Sequence, residues 1–457
     1  MKHSIKFNLT GGVILFCLAM CLTSCEGALD DVLGEWSRPT PGNNNNTNTT
    51  PSTSSTYLKW DDGTKALVAT ALPESFKKMS ASETTWSGTY IVDEDVEITD
   101  DVTLGGDVDL IILDGKTLSL ASDKKIDASA VTYTLNIYSQ SNGDGAGTLT
   151  VSTTTAGAYP IATNGTLNIH SGIVNATAIG ATAEGIYVDT EFNVYGATVN
   201  VSATLAGIMV GGMSGGDLNI YGGTIDAKST GNSGIGCYGD INITGGTVKA
   251  TSTQSGYGII VTSGGLPATK GKLNITGGNV TATGGPGGMG AGISTNNDIT
   301  IDDGTVTANG AKGMEGIFMS GGKLIVNDGT LIANGGEGDN AVNGQSKGGD
   351  AIQVMTLEIN GGTITATGGN GDPLVAGVGG NGITGTTVIT DCVLITATGG
   401  TKSLTAPNDG DGFDNASTIT IPATLKYSED GTDKGAGTGA AINISAGVKV
   451  LIVQPNS

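Results

Sequence analysis

The feature that most constrains this chain is a repeat of about two dozen residues that begins near Thr134. Leu218-Asn219-Ile220-Tyr221-Gly222-Gly223-Thr224-Ile225-Asp226-Ala227 is echoed by Ile241-Asn242-Ile243-Thr244-Gly245-Gly246-Thr247-Val248-Lys249-Ala250. The phrase returns at Leu273, Ile299, Leu324 and Leu357, and in weaker form at Leu135, Leu167 and Phe192. Successive copies lie between 23 (218 to 241) and 33 (324 to 357) residues apart. After a variable polar loop comes a second phrase: Gly185-Ile186, Gly207-Ile208, Gly234-Ile235, Gly258-Ile259, Gly292-Ile293 and Gly316-Ile317.

Each repeat therefore holds three short segments of period 2: Leu-x-Ile, Val-x-Ala and Gly-Ile-x-Val. Alternation over three to five residues predicts strands, and no useful stretch keeps a helical period. Gly-Gly between the first two segments permits a sharp bend where a positive φ would penalise a Cβ. Identical residues recurring at identical corners predict an all-β, single-stranded parallel β-helix solenoid with three short strands per coil. Its coils would stack ~4.8 Å apart, around an apolar column that no single repeat could bury. A β-sandwich, the competing all-β fold, would not require matching inward residues at every repeat.

The N-terminus reads as an export signal. A weakly cationic start (Lys2, His3, Lys6) precedes an apolar run over 11–22, shorter than the ~20 residues a membrane span needs. Leu22-Thr23-Ser24-Cys25 follows directly and resembles the lipobox of bacterial lipoproteins, which makes Cys25 the expected lipidation site; a plain thiol after ordinary cleavage is the alternative. Residues 39–56 carry no charge and no large apolar side chain, so 25–56 reads as lipidated cysteine plus flexible tether. The expected layout is thus 1–24 signal peptide, 25–56 tether, 57–130 N-terminal cap and first coils, and 131–457 regular coils. Residues 65–78 are the expected cap and 448–453 (VKVLIV) the last strand. Glu26, Asp30 and Asp31 resemble acidic surface-export signals, which predicts an outer-membrane protein facing the cell exterior, touching membrane through its anchor only.

The net charge is −22, and loss of Lys2 and Lys6 with the leader makes it −24. Phosphate recognition needs a basic stripe that such a chain lacks, so nucleic acid is excluded as a partner. Between Trp60 and Ser457 there is no arginine and one histidine, which leaves few candidates for a strong base.

Stacking turns repeat positions into columns. The outward middle residue of Leu-x-Ile reads Asn136, Asn168, Asn193, Asn219, Asn242, Asn274; one residue past the isoleucine stand Tyr138, His170, Tyr195 and Tyr221. One residue before the leucine come Glu191, Asp217, Asp240, Lys272, Asp298 and Lys323. Amides and acids beside flat rings suit a polysaccharide, supplying hydrogen bonds to hydroxyls and a platform for the sugar face. The other reading is that ladders of asparagine and stacked rings stabilise the solenoid by themselves. Met209, Ile260 and Phe318 share a further outward column, interrupted by Gly236 and Ser294, which hints at an apolar stripe for adhesion.

The segment Asn408-Asp409-Gly410-Asp411-Gly412-Phe413-Asp414 offers closely spaced oxygen ligands with glycine turns, so Asp409, Asp411 and Asp414 are the candidate ligands for Ca²⁺. It lacks the distal bidentate glutamate of a full EF-hand loop. Asp339, Asp350 and Asp372 lie in other glycine-rich loops; polar turn chemistry alone also explains such runs.

The Leu-Asn-Ile, Gly-Gly-Thr-Val-x-Ala and Gly-Ile phrases, over 86–453, resemble the pectin-lyase-like superfamily of right-handed β-helices. The similarity is greatest to its lipid-anchored surface carbohydrate-binding proteins, among them a polygalacturonate-binding, calcium-associated type. The resemblance implies a right-handed coil and binding of a pectin-like or other uronate-containing glycan, with calcium as the cofactor, and it brings no site motif onto numbered residues here. A non-catalytic binder is the expected function. A lyase or hydrolase, and an adhesin or passive spacer, are the alternatives.

Overall fold

The computed structural model describes residues 56–212, 215–263, 271–288, 290–343, 346–403, 405–406, 408–414, 419–439, 441–442 and 449–453. The export signal, Cys25, tether residues 25–55 and Val448 lie outside the described residues. The described chain is all-β, 52 % strand and 1 % helix. Among the described residues the one short helix is Asn340–Asn343.

Parallel in-register pairing between successive repeats builds the long sheets. The Val-x-Ala strands run Thr148–Thr153, Ile173–Ala178, Thr198–Ala203, Thr224–Ser229, Thr247–Ser252, Asn279–Thr283, Thr305–Asn309, Thr330–Asn334, Thr363–Thr367 and Leu394–Thr398, each paired to the next. Leu-x-Ile strands pair the same way from Leu135–Ser139 to Lys323–Val326. So do the Gly-Ile strands from Ile161–Thr163 to Ile317–Met319. In the repeat after that, the last two segments fuse into Ile352–Ile359, with a register shift between Gln353 and Thr356.

Alternation decides what is inside. Leu167, Ile169, Val174, Ala176, Ile186 and Val188 are at most 1 % exposed, and equivalent residues form one continuous core from Met79 to Ile452. Cys237 sits in register with Val210 and Val261 and is a free buried thiol whose pKa burial pushes up to about 12. The second glycine of the Gly-Gly corner has a positive φ, +83° at Gly223 and +82° at Gly246, as the bend requires.

Two elements depart from the repeat. Thr56–Asp61 and Ala66–Ala71 form an antiparallel hairpin, so 65–78 is not a single end cap: its first part is a hairpin strand, and only Lys77–Lys78 pairs onto the stack, beside Thr85–Val92. At the other end Val450–Val453 pairs antiparallel to both Leu394–Thr398 and Lys426–Glu429, which stops parallel growth and covers a strand edge.

From about residue 335 onward, the glycine-rich corners are packed structure rather than polar turns. Their backbone amides form a zigzag of hydrogen bonds, Gly349→Gly336, Gly369→Gly349, Gly380→Gly369, Gly400→Gly380 and Gly410→Gly400, each 2.7–2.8 Å from N–H to carbonyl. None of these glycines has a positive φ. A Cβ on Gly369 would stand 1.9 Å from the Gly336 carbonyl oxygen, and one on Gly400 would stand 1.9 Å from that of Gly369. Glycine is required here for close approach, not for backbone freedom.

Candidate functional site

The structure brings the predicted columns together. Ring centroids of Tyr138 and His170 are 4.5 Å apart, those of His170 and Tyr195 4.5 Å, and those of Tyr195 and Tyr221 4.9 Å, with interplanar angles of 8–15°. Beside them the asparagine side chains pass one hydrogen bond from coil to coil. Asn168 donates to Asn136 (2.7 Å), Asn193 to Asn168, Asn219 to Asn193 and Asn242 to Asn219 (each 2.8 Å), and Asn274 to Asn242 (2.9 Å). Asn136 ends the ladder on Asp109, at 3.0 Å. Each amide in the middle of the ladder is donor to one neighbour and acceptor from the next, which is the scaffold arrangement.

The ring column is also roofed. The 56–71 hairpin lies across it, with Trp60 5.0 Å from the Tyr195 ring and 5.2 Å from that of Tyr221, and Tyr57 edge-on to Tyr138 at 5.0 Å. The Trp60 backbone N–H donates to His170 Nδ1 (3.1 Å), the Ser171 hydroxyl to the Leu58 carbonyl (3.0 Å), and Gln140 to the Thr56 carbonyl (3.2 Å). Tyr138, His170, Asn193 and Asn219 are therefore buried, while Tyr195, Tyr221, Asn168 and Asn242 are half-buried. Burial holds the His170 imidazole neutral, with a pKa of about 3, and pushes the Tyr138, Tyr195 and Tyr221 phenols up. A sugar could stack on this column only in place of Trp60 and Tyr57.

The acids staple coils together. Asp217 Oδ1 accepts the Asp240 N–H (2.8 Å), Asp240 Oδ1 the Lys272 N–H (3.0 Å), and Asp298 Oδ1 the Lys323 N–H (3.0 Å). Asp409 Oδ1 accepts the Lys402 N–H (2.8 Å), Asp411 is buried and Asp414 is half-buried. Among the described residues no group of three or more His, Cys, Asp or Glu side chains is placed to hold a metal ion. Asp339, Asp350 and Asp372 each accept from a lysine or a backbone N–H near their own corner.

A different flank carries an open site. Counting from the isoleucine of each Gly-Ile phrase, the residues two before and one after it form two neighbouring outward columns. The second runs Ala162, Tyr187, Met209, Gly236, Ile260, Ser294, Phe318, in register throughout. The first runs Tyr159, Glu184, Ala206, Ser233, Tyr257, Ala291, Glu315. Ala291, small and buried between Tyr257 and Glu315, leaves a groove of about 260 Å³ lined by Tyr257, Met314, Glu315 and Phe318. Burial, with a smaller contribution from Asp350, holds the Glu315 carboxyl above its ordinary range, against its own backbone hydrogen bond and Lys347. Burial and then Glu315 push the Tyr257 phenol up.

The same motif without the alanine is closed. Tyr159 and Glu184 occupy adjacent coils, the Tyr159 and Tyr187 rings are 5.4 Å apart, and Glu184 is 9 % exposed with Oε2 unpaired. Burial raises its pKa to about 7. Sequence reasoning found the Gly-Ile phrase but not Tyr257, Glu315 or Glu184. The available signal was a large or acidic residue immediately before that glycine, where other repeats have alanine or serine.

Comparison of the chain with protein-family models, with curated proteins and with solved structures found no match.

Proposed function

We propose that this chain is a non-catalytic polysaccharide-binding protein, built as a right-handed, three-strand-per-coil β-helix of pectin-lyase-like kind. In this reading it is anchored by lipid at Cys25 to the outer membrane and faces the exterior. The observation that carries the binding role is the Tyr257–Phe318 groove. Two rings and a methionine give apolar faces for a sugar ring, and one carboxyl in the lining can accept from hydroxyls, the composition of a carbohydrate subsite. A net charge of −22 and a carboxyl in the groove repel uronates, so the glycan favoured is neutral.

The experiment is calorimetric titration of the purified domain with neutral oligosaccharides, alongside a reducing-end assay. Tyr257→Ala and Phe318→Ala are each expected to weaken binding at least tenfold, with no ends released. Affinity untouched by either substitution would remove the groove from the account.

One observation favours hydrolysis as a second reading: Glu315, with its raised carboxyl, is one coil from Asp350. Retaining glycosidases hold two carboxyls about 5–5.5 Å apart, with one free to attack. Asp350 is not free, because Oδ1 accepts from Lys347 (3.0 Å) and the Asn381 N–H (2.8 Å), and Oδ2 from Thr384 (2.8 Å). Reducing ends that vanish in Glu315→Gln would replace the binder by a hydrolase.

A further inference from the structure

A second opening lies on the same flank, two coils from the groove. The column steps from Gly236 to Ile260 to Ser294, and Ser294 belongs to the coil of Ala291. At ~4.8 Å per coil the two openings are about 10 Å apart, close enough for neighbouring units of one oligosaccharide. The opening exists because Gly236 has no side chain. Met209 and Ile260 wall it, and Asn232 and Thr262 stand at its rim.

Its volume is about 40 Å³. A water needs about 10–15 Å³ on this measure, so the notch has room for a substituent of a few heavy atoms and not for a sugar ring. Behind it lies an unusual group. Ser233 is 0 % exposed and its hydroxyl has no hydrogen-bond partner. The Oγ atom is 3.1 Å from the place a Cβ on Gly236 would occupy, so the hydroxyl lies directly beside the glycine that lines the notch. A buried hydroxyl left unpaired is destabilising, and retaining one at the back of a surface opening is explained by a ligand acceptor.

We propose that the notch takes the N-acetyl group of a neutral aminosugar oligomer whose neighbouring ring lies in the Tyr257–Phe318 groove. The methyl packs on Met209 and Ile260, the carbonyl accepts from the Ser233 hydroxyl, and the Asn232 side-chain carbonyl at the rim accepts the amide N–H. A plain hydroxyl cannot fill the apolar walls, and a carboxylate would enter an already anionic surface. This inference rests on the polysaccharide reading above and adds its substrate class.

The test compares chitotetraose with cellotetraose, which share a β-1,4 backbone and differ at the acetamido group, by calorimetry on the same protein. The wild-type protein is expected to bind chitotetraose at least tenfold more tightly. Gly236→Ala fills the notch and is compatible with the fold: the residue has no positive φ, and its nearest neighbour would be the flexible end of Met209, at 2.8 Å. That variant should keep its cellotetraose affinity and lose the preference. Ser233→Ala should reduce the preference while leaving the notch open, and Tyr257→Ala should weaken both ligands. Equal wild-type affinities, or a preference that survives Gly236→Ala, would overturn the notch while the groove stands. Binding of neither ligand would overturn the inference together with the reading beneath it.

Discussion

His170 is the single imidazole besides His3 near the N-terminus, so its titration can be followed without ambiguity. Its pKa is pushed from 6.5 to about 3 chiefly by burial under the hairpin, and its Nδ1 accepts the Trp60 N–H. A histidine held neutral in the folded state supports that state fully above pH 6.5 and loses this support as pH falls toward 3. At ~1.4 kcal/mol per tenfold, the gap between 6.5 and 3 amounts to about 5 kcal/mol, of which about 2 kcal/mol is already felt at pH 5. The least disruptive way to admit the proton is to detach the hairpin, which leaves the coils intact. Trp60→Ala should make that easier, because it removes two ring contacts worth ~0.5–1.5 kcal/mol each. The expected result in an NMR pH titration is a wild-type imidazole that stays neutral at pH 5, and a Trp60→Ala imidazole that titrates closer to 6.5. Hydrogen exchange over 56–71 should speed up in parallel. A wild-type His170 titrating near 6.5, or one that Trp60→Ala leaves unchanged, would refute the roof as the cause of burial.

Four further outcomes are expected. Gly400→Ala drives a Cβ to 1.9 Å from a backbone carbonyl and should cost about 3 kcal/mol or prevent folding. Gly115→Ala, at φ +69° in open space, should cost only about 1 kcal/mol in the same urea titration. Asn219→Ala removes a donor to Asn193 and Glu191 and an acceptor for Asn242, and should lower stability by about 1–3 kcal/mol; no change in the urea midpoint would mean that the ladder is ornamental. Glu184, raised from 4.5 to about 7 by burial, supports the fold below pH 4.5 and loses that support as pH rises to 7, so Glu184→Gln should be more stable than wild type at pH 8 by about 3 kcal/mol and not at pH 4. Parallel pH profiles of the two proteins would contradict that assignment.

How far the site could be read in advance differs from element to element. The asparagine and ring columns were legible because period 2 and a conserved corner place Asn193, Asn219 and Asn242 on one face, and parallel pairing then makes them neighbours. Which of their two readings applies was not legible. It turns on Trp60 meeting His170 across 110 residues, in a segment that shares no phrase with the repeat. The groove was hidden for a related reason. Tyr257, Ala291 and Glu315 are single residues in three coils, and an opening arises only where a small side chain falls between two large ones. In the glycine corners, composition suggested turns, whereas the backbone used the glycines to pack.

The order of residues alone determined a stack of parallel β-strands around an apolar column, because a repeated alternation can bury its hydrophobic face only against copies of itself. Tertiary structure alone decided which outward faces remain open to a ligand. Exposure of one coil depends on what the rest of the chain lays over it, and no local pattern carries that information.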